Sequence, residues 1–316
     1  MFERLLSKGG LSLERLRTLI AVAEACGITL AAKGDPATQS LYSRQIRELE
    51  EFFGVKLVTR KGKGVAMTSA GTRLVTVARG CLLSLEGFLV ETGKQKARFE
   101  IGAGDSVLQW KVIPDCLAQV VRQTGCEVRL HNLKTEEIVT GLRELTLDFG
   151  LVRDSAITPP LQSQRLFHSG YALFVPEALI PTGHRLVLRE ILHEVPLALL
   201  SDSSVMDALQ SVVAPNELKV GAMCDSFTQA ASALLTGRFG AVLPTIASSS
   251  LPQGQFRMIE LKELQAMKRT VHLAWNPRML ALRPRATDVQ RILRSALEVT
   301  SDVVASRKSA GRRSRS

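Results

Sequence analysis

Thr38 to Leu57 reads TQSLYSRQIRELEEFFGVKL, and the pattern inside it decides the fold. At about 100° per residue, Tyr42, Ile46, Leu49 and Phe53 fall on one stripe, the spacing of a helix face turned toward a core. Ser40, Ser43, Arg44 and Arg47 fall on the opposite side, with Gln39 at the N-terminal end. Thr38 is the expected N-cap and Gly54 the expected glycine stop. Upstream, LSLERLRTLIAVAEACG repeats the pattern, with Ser12 as N-cap and Leu13, Leu16, Ile20 and Ala23 turned inward. A short third helix fits around Thr29 to Lys33 and is broken at Gly34-Asp35-Pro36. Downstream, Val55 to Thr59 and Val65 to Thr68 read as two strands joined through Arg60-Lys61-Gly62-Lys63-Gly64.

Three short helices followed by a basic hairpin make a winged helix-turn-helix, and the chemistry suits duplex DNA. A glutamine and serines can meet base edges in the major groove, arginine can take a phosphate or a guanine, and a glycine-rich cationic tip can approach the backbone. By itself, such a polar face could be an ordinary solvated one. The distribution of charge favours the other reading. The chain of 316 residues carries a formal charge of +11. Residues 1–97 hold 15 basic and 9 acidic side chains, residues 98–305 hold 21 of each, and residues 306–316 hold 5 basic and none acidic. Positive ends around a neutral middle are expected where the ends meet a polyanion.

The run TQSLYSRQIRELEEFFGVKLVTRKGKGVAMTSAG resembles the DNA-binding segment of LysR-type transcriptional regulators. Its matches are Gln39, Ser43, Arg44, Gln45, Ile46, Leu49, Glu50, Gly54, Leu57, Arg60, Thr68, Ala70 and Gly71. Ser40 stands where that family usually has proline, Val58 where it has phenylalanine, and KGDPA replaces the usual end of the preceding helix. The resemblance implies that Gln39, Ser43 and Arg44 contact DNA and that Arg60 and Lys61 serve the wing. With their neighbours Thr38, Ser40, Arg47 and Lys63 they form the expected DNA-binding set.

From Thr68, an expected N-cap, a long helix can run to about Gly93. Leu74, Ala78, Cys81, Leu85 and Phe88 follow alternating steps of four and three, with Val75, Leu82 and Leu89 beside them, the pattern of a coiled-coil seam. The resemblance implies a linker helix that pairs subunits, giving a homodimer or homotetramer. Residues 1–67 are then the winged helix-turn-helix domain and 68–97 the linker.

In the neutral middle, FEIGAG, CEVRLHN, LDFGLV, YALFVP, VPLALL, FGAVLP and TVHLAWN are short apolar runs separated by helix-like segments, which predicts α/β with mainly parallel sheets. LTLDFGLV and ALLTGRFGAVLP resemble segments of the same family's regulatory module, two subdomains around a cleft as in a periplasmic binding protein. This places an effector-binding domain at 98–305, with one subdomain at about 98–164 and 269–305 and the other at about 165–268. Residues 306–316 form a basic tail without periodicity, expected to be disordered. In such folds ligands sit at strand C-termini against helix N-termini. Ser106, Thr135, Ser203, Ser204, Ser226 and Phe227 occupy such positions and form the expected effector site. Asp105 beside Ser106 would compete with an anionic ligand.

Enzyme chemistry finds no anchor. The chain lacks GxSxG, HExxH and Walker A motifs, and Gly102-Ala-Gly104 lacks a third glycine. The five histidines are dispersed, so no metal site, cofactor or catalytic residue is expected. The five cysteines form no CxxC pair, fitting a reducing cytoplasm. No apolar run approaches a membrane span, and charges interrupt the first residues where a signal peptide needs an apolar core. The alternative to a sequence-specific regulator is a nucleoid-type protein binding DNA without sequence choice.

Overall fold

The computed structural model describes residues 2–7, 9–61, 64–93, 95–180, 188–201, 203–214 and 217–298. The chain divides into two compact units. One comprises Met1–Ala97, Glu144–Thr146 and Pro277–Pro284, and the other comprises the rest.

The first unit opens with α1 (Glu3–Leu6), α2 (Leu13–Glu24), α3 (Ile28–Ala31) and α4 (Pro36–Phe53). A hairpin of β1 (Val58–Lys61) and β2 (Gly64–Met67) follows, then α5 (Ser69–Glu91). Ser12 and Thr68 cap α2 and α5 as expected, accepting from Arg15 N and Gly71 N. Gly54 ends α4 in the left-handed conformation that lacks a penalty only for glycine. The start of α4 differs from expectation. Asp35, not Thr38, is the N-cap, accepting from Thr38 N at 2.9 Å, and Pro36 opens the helix with its fixed φ. The third helix ends at Ala31 because the chain turns left-handed at Lys33 (φ 51°) and Gly34 (φ 79°). The inward stripe of α2 is Leu16, Leu19 and Val22, whereas Leu13, in the first turn, is 52% exposed.

These residues share one core with Ile46, Leu49, Leu57, Val75 and Ala78, against which Tyr42 and Phe53 also pack. The stripe read from α4 is therefore its buried face. The first wing strand begins later than expected because residues 55–57 carry the chain back from α4, with Leu57 buried in the core, while the second runs one residue ahead of its expected bounds. The expected seam of α5 also divides. Val75 and Ala78 are sealed in the winged-helix core, while Cys81, Leu85, Phe88 and Leu89 are exposed, as is Val77, which lies outside the expected seam. Arg79, on the same helix, is nearly sealed. It donates to Glu24 Oε1 at 3.0 Å and to the carbonyl oxygen of Glu144 at 3.0 Å, and it lies 3.4 Å from the Glu144 carboxylate. One guanidinium thus fastens three segments distant in sequence within this unit.

The second unit holds two five-stranded sheets. One orders β4 (Glu127–Asn132), β3 (Arg98–Ala103), β5 (Phe149–Arg153), β12 (Arg269–Trp275) and β6 (Gln162–Ser169). The other orders β11 (Phe256–Ile259), β7 (Tyr171–Pro176), β10 (Gly240–Pro244), β8 (Leu197–Leu200) and β9 (Val220–Cys224). The expectation of mainly parallel sheets is corrected. The pairings of β3 with β4 and β5, and of β8 with β9 and β10, are parallel, while those of β12 with β5 and β6, and of β7 with β10 and β11, are antiparallel. The reason is topological: the chain crosses between sheets at residues 169–171 and returns into β12, and each crossing strand enters against the run of its new neighbours.

Helices cover both sheets. A turn at α6 (Asp105–Val107) runs through a wide helical stretch around Pro114 into α7 (Ala118–Thr124), and α8 (Thr135–Arg143) follows β4. Further on come α9 (Leu188–Glu194), α10 (Ser203–Gln210), α11 (Phe227–Leu235), α12 (Lys262–Gln265), α13 (Pro277–Leu282, part of the first unit) and α14 (Ala286–Leu297). Leu173, Leu197, Leu199 and Val242 centre the core on one face of the second sheet. Phe174, Ala198, Ala241 and Leu243 centre that on its other face, because alternate strand residues point to opposite faces. Among the described residues no helix is long and apolar enough to cross a membrane.

Candidate nucleic-acid interface and ligand cleft

With its apolar stripe buried, α4 leaves a polar ridge outward. Ser40, Arg44 and Arg47 are exposed, and Gln39 and Ser43 are half-buried. Arg44 keeps 69% of its side chain in solvent and lies 3.8 Å from Glu48. The other Glu48 oxygen accepts from Arg15 Nε at 2.5 Å, so Glu48 ties α4 to α2 and leaves the Arg44 guanidinium reach. Thr38 is committed locally, its hydroxyl donating to Asp35 Oδ2 at 2.5 Å. That bond, with the backbone N–H of the same residue, holds the Asp35 carboxyl below the usual carboxylate range. Arg60 is exposed on β1, opposite Val65 in the hairpin register. The Lys61 side chain and the whole of Lys63 lie outside the described residues.

Two polar residues of the same helix face inward. Thr18 donates to Gln45 Oε1 at 2.6 Å, and both residues are buried, pinning α2 to α4. Glu50 is also buried, which by itself would raise its carboxyl. The Lys56 ammonium at 2.7 Å and the N–H groups of Leu57 (2.9 Å) and Val58 (3.3 Å) outweigh that cost and leave it below its ordinary value. Glu50 therefore fixes where the wing departs from the helix. The motif contained both residues, but a helical pattern alone cannot tell a buried polar pin from a wet side chain.

The second unit encloses a cleft of about 680 Å³ where strands of both sheets end, within the size range of small-molecule sites. Residues following β3, β4, β9 and β10, and the C-terminal residues of β5 and β8, reach it, in accord with the rule that ligands lie outside the carboxyl ends of parallel strands. Ser106, Thr135, Ser226 and Phe227 line it. Ser204 lies farther along in α10 and is not part of the lining, and the Ser203 side chain is outside the described residues. The sequence reading missed Lys134, Arg153, Tyr171, Asp225 and Arg269, all of which line the cleft. Their signal was positional: each flanks a strand at the same end of its sheet. Tyr171 and Phe227 stack at 5.6 Å between ring centroids, and Arg269 lies over the Tyr171 ring at 5.9 Å. Ser226 caps α11, accepting from Gln229 N at 3.2 Å. Asp105 does not point into open space: Oδ2 accepts from Thr228 N at 3.2 Å, and the Thr228 hydroxyl lies 3.2 Å and 3.3 Å from its two oxygens.

Nucleophile chemistry finds little support here. Burial pushes the Cys116 thiol up to about 12 and also raises Cys224, so neither is a ready thiolate. Ser163, His272 and Asp154 fall in line, at 3.4 Å and 3.7 Å, but Asp154 is 76% exposed and none of the three lines the cleft. Among the described residues no group of three or more His, Cys, Asp or Glu side chains could hold a metal ion.

Comparison with known proteins agrees with this geometry. A family model described as "Bacterial regulatory helix-turn-helix protein, lysR family" matches residues 13–72, and one described as "LysR substrate binding domain" matches residues 92–298. A probable hydrogen peroxide-inducible genes activator of Mycobacterium avium is 28% identical over 192 residues, 59% of this chain and 61% of that protein. The chain spans about three-fifths or less of the length of such curated relatives. Two solved structures share the fold: full-length OxyR from Pseudomonas aeruginosa (TM-score 0.61, 18% identity, 92% of this chain and 96% of that one) and full-length LysG from Corynebacterium glutamicum with bound effector Arg (TM-score 0.60, 18% identity, 92% and 100%). With a helix-turn-helix match and a substrate-binding match that together run from residue 13 to residue 298, the chain belongs to the LysR family.

Proposed function

We propose that this LysR-family chain is a sequence-specific DNA-binding transcriptional regulator, acting as a homodimer or homotetramer, whose cleft binds a small-molecule effector. In this reading residues 1–67 bind DNA, 68–97 pair subunits, 98–305 sense the effector and 306–316 add basic charge. The observation that carries it is the exposed ridge of α4, Ser40, Arg44 and Arg47, backed by Ile46 and Leu49 buried in the winged-helix core. A helix held from behind and polar in front can enter a major groove without unfolding. Gln39, Ser43 and Arg44 serve as base-edge readers, and Arg47, Arg60, Lys61 and Lys63 as phosphate contacts. Ser106, Thr135, Ser226 and Phe227 form the effector wall. Ser203 and Ser204 belong to the same proposed site only if α10 moves on binding. Regulation requires the effector to bind one assembly state better than another. The chemistry assigned is recognition, without a catalytic residue or cofactor.

The test is footprinting of DNA upstream of the chain's own gene, with competitor DNA at physiological salt. A sharp protected site is expected. Arg44→Ala should weaken binding there by roughly tenfold or more, the cost of one good base contact, with the folded content unchanged. Uniform coating of all DNA, or full affinity in the variant, would defeat the reading.

A further inference from the structure

The unusual feature of the cleft is a carboxylate already seated at the start of α11. Asp105 follows β3 of the first sheet, while α11 packs on β8 and β10 of the second. The hydrogen bonds from Thr228 N and Thr228 Oγ1 to Asp105 therefore bridge the two walls. The first turn of α11 offers backbone donors with a partial positive charge, the environment in which a carboxylate is favoured. Ser226 already satisfies Gln229 N, and the Thr228 hydroxyl contacts Ser226 Oγ at 2.8 Å, so serine, threonine and aspartate form one connected set.

We propose that Asp105 is a built-in latch: its carboxylate occupies, from within the chain, the anion position at the α11 N-terminus, and so holds the two cleft walls together without ligand and excludes an anionic ligand group from that point. The remaining charges agree. Besides its stacking on Tyr171, Arg269 has no ion pair among the described residues, and neither has the Lys134 ammonium. A negative end of a ligand is thus received by Lys134 or Arg269, and the group facing Asp105 is neutral or cationic. Glu137 is engaged at α8, where it accepts from Lys134 N at 2.8 Å. Asp225 is exposed at the rim, its carboxylate without an ion pair among the described residues, and adds to the preference against an anion on the α11 side. This inference rests on the reading of the cleft as the effector site.

The experiment is amide hydrogen exchange on the full chain and on Asp105→Ala, with sodium acetate as the probe and sodium chloride at equal ionic strength as control. In the variant, exchange in the first turn of α11 should quicken by roughly tenfold or more, as for loss of a charge-assisted hydrogen bond. Acetate, seated where the side chain was, should slow it again, while leaving the unmodified chain unaffected. Unchanged exchange in Asp105→Ala overturns the latch, and acceleration that acetate does not reverse overturns the anion seat. Should Asp105→Ala not fold, Asp105→Asn keeps the shape and an acceptor while removing the charge, and must exchange faster than the unmodified chain in the same turn; exchange equal to that of the unmodified chain overturns the latch. The two readings fail separately. Unaltered exchange sinks the latch whatever happens at DNA, whereas an opened latch with unchanged operator affinity sinks the link from cleft to DNA and leaves the latch standing.

Discussion

Glu50 joins α4 to the wing through three hydrogen bonds, two of them from backbone N–H groups of Leu57 and Val58. Removing its charge leaves those donors facing a weaker acceptor in a buried place, so Glu50→Gln should cost about 1–3 kcal/mol at neutral pH. The pH dependence has a definite sign. The folded carboxyl titrates below its unfolded value, so its contribution is complete above the unfolded value and is lost as pH falls through the folded one. Chemical denaturation of both proteins from neutral to acid pH should show their difference shrinking toward zero. A difference independent of pH would mean that packing, not charge, carries the effect. Glu50 also marks the limit of what one sequence reveals. Its place in the motif was legible, as was the exposed neighbour Arg44, but its task depends on the chain doubling back at Gly54 and bringing residues 56–58 against it.

The helices and the wing were largely legible because caps and stripes are local signals. Ser12, Thr68 and Gly54 act where expected, whereas Thr38 lost its place to Asp35 because a capping aspartate followed by proline starts a helix earlier. Strands with polar exteriors were harder. In β6, QSQRLFHS buries only Leu166 and Phe167, and such a pattern hides among loops. At this scale two predictions concern α5. A Cβ on Gly71 would lie 2.1 Å from the carbonyl oxygen of Leu57, which is backbone and also accepts from Thr68 N. Gly71→Ala should destabilise the first unit by roughly 2 kcal/mol or more, the cost of overpacking a fixed neighbour. A melting curve matching the parent's would show that the wing can move aside freely. The outer face of α5 makes a different claim. Val77, Leu85 and Phe88 are 60%, 46% and 64% exposed on one stripe with Cys81, an apolar face that calls for a partner. Phe88→Glu should convert the assembly to smaller species in sedimentation while circular dichroism is retained. An unchanged sedimentation coefficient would place subunit pairing elsewhere.

Over the whole chain, charge and architecture divide the work. The winged helix and linker carry an excess of six positive charges, the cleft-bearing middle balances at zero, and the last eleven residues carry five more. Under the proposed function, the neutral middle binds a small molecule without a general affinity for polyanions, while both ends would favour DNA through release of its counterions. Residues 306–316 lie outside the described residues, and their contribution is read from charge alone. Each phosphate contact adds about 0.9 to the slope of log affinity against log salt. A chain ending at residue 305 should therefore show a slope shallower by about 1 to 4, depending on how many of the five cations engage phosphates at once. Such contacts carry no base information, so the ratio of operator to competitor affinity should stay within about twofold. Titrations of both proteins over a range of salt concentrations measure the two quantities together. A lost ratio would make the tail part of sequence reading, and an unchanged slope would remove it from the DNA interface altogether.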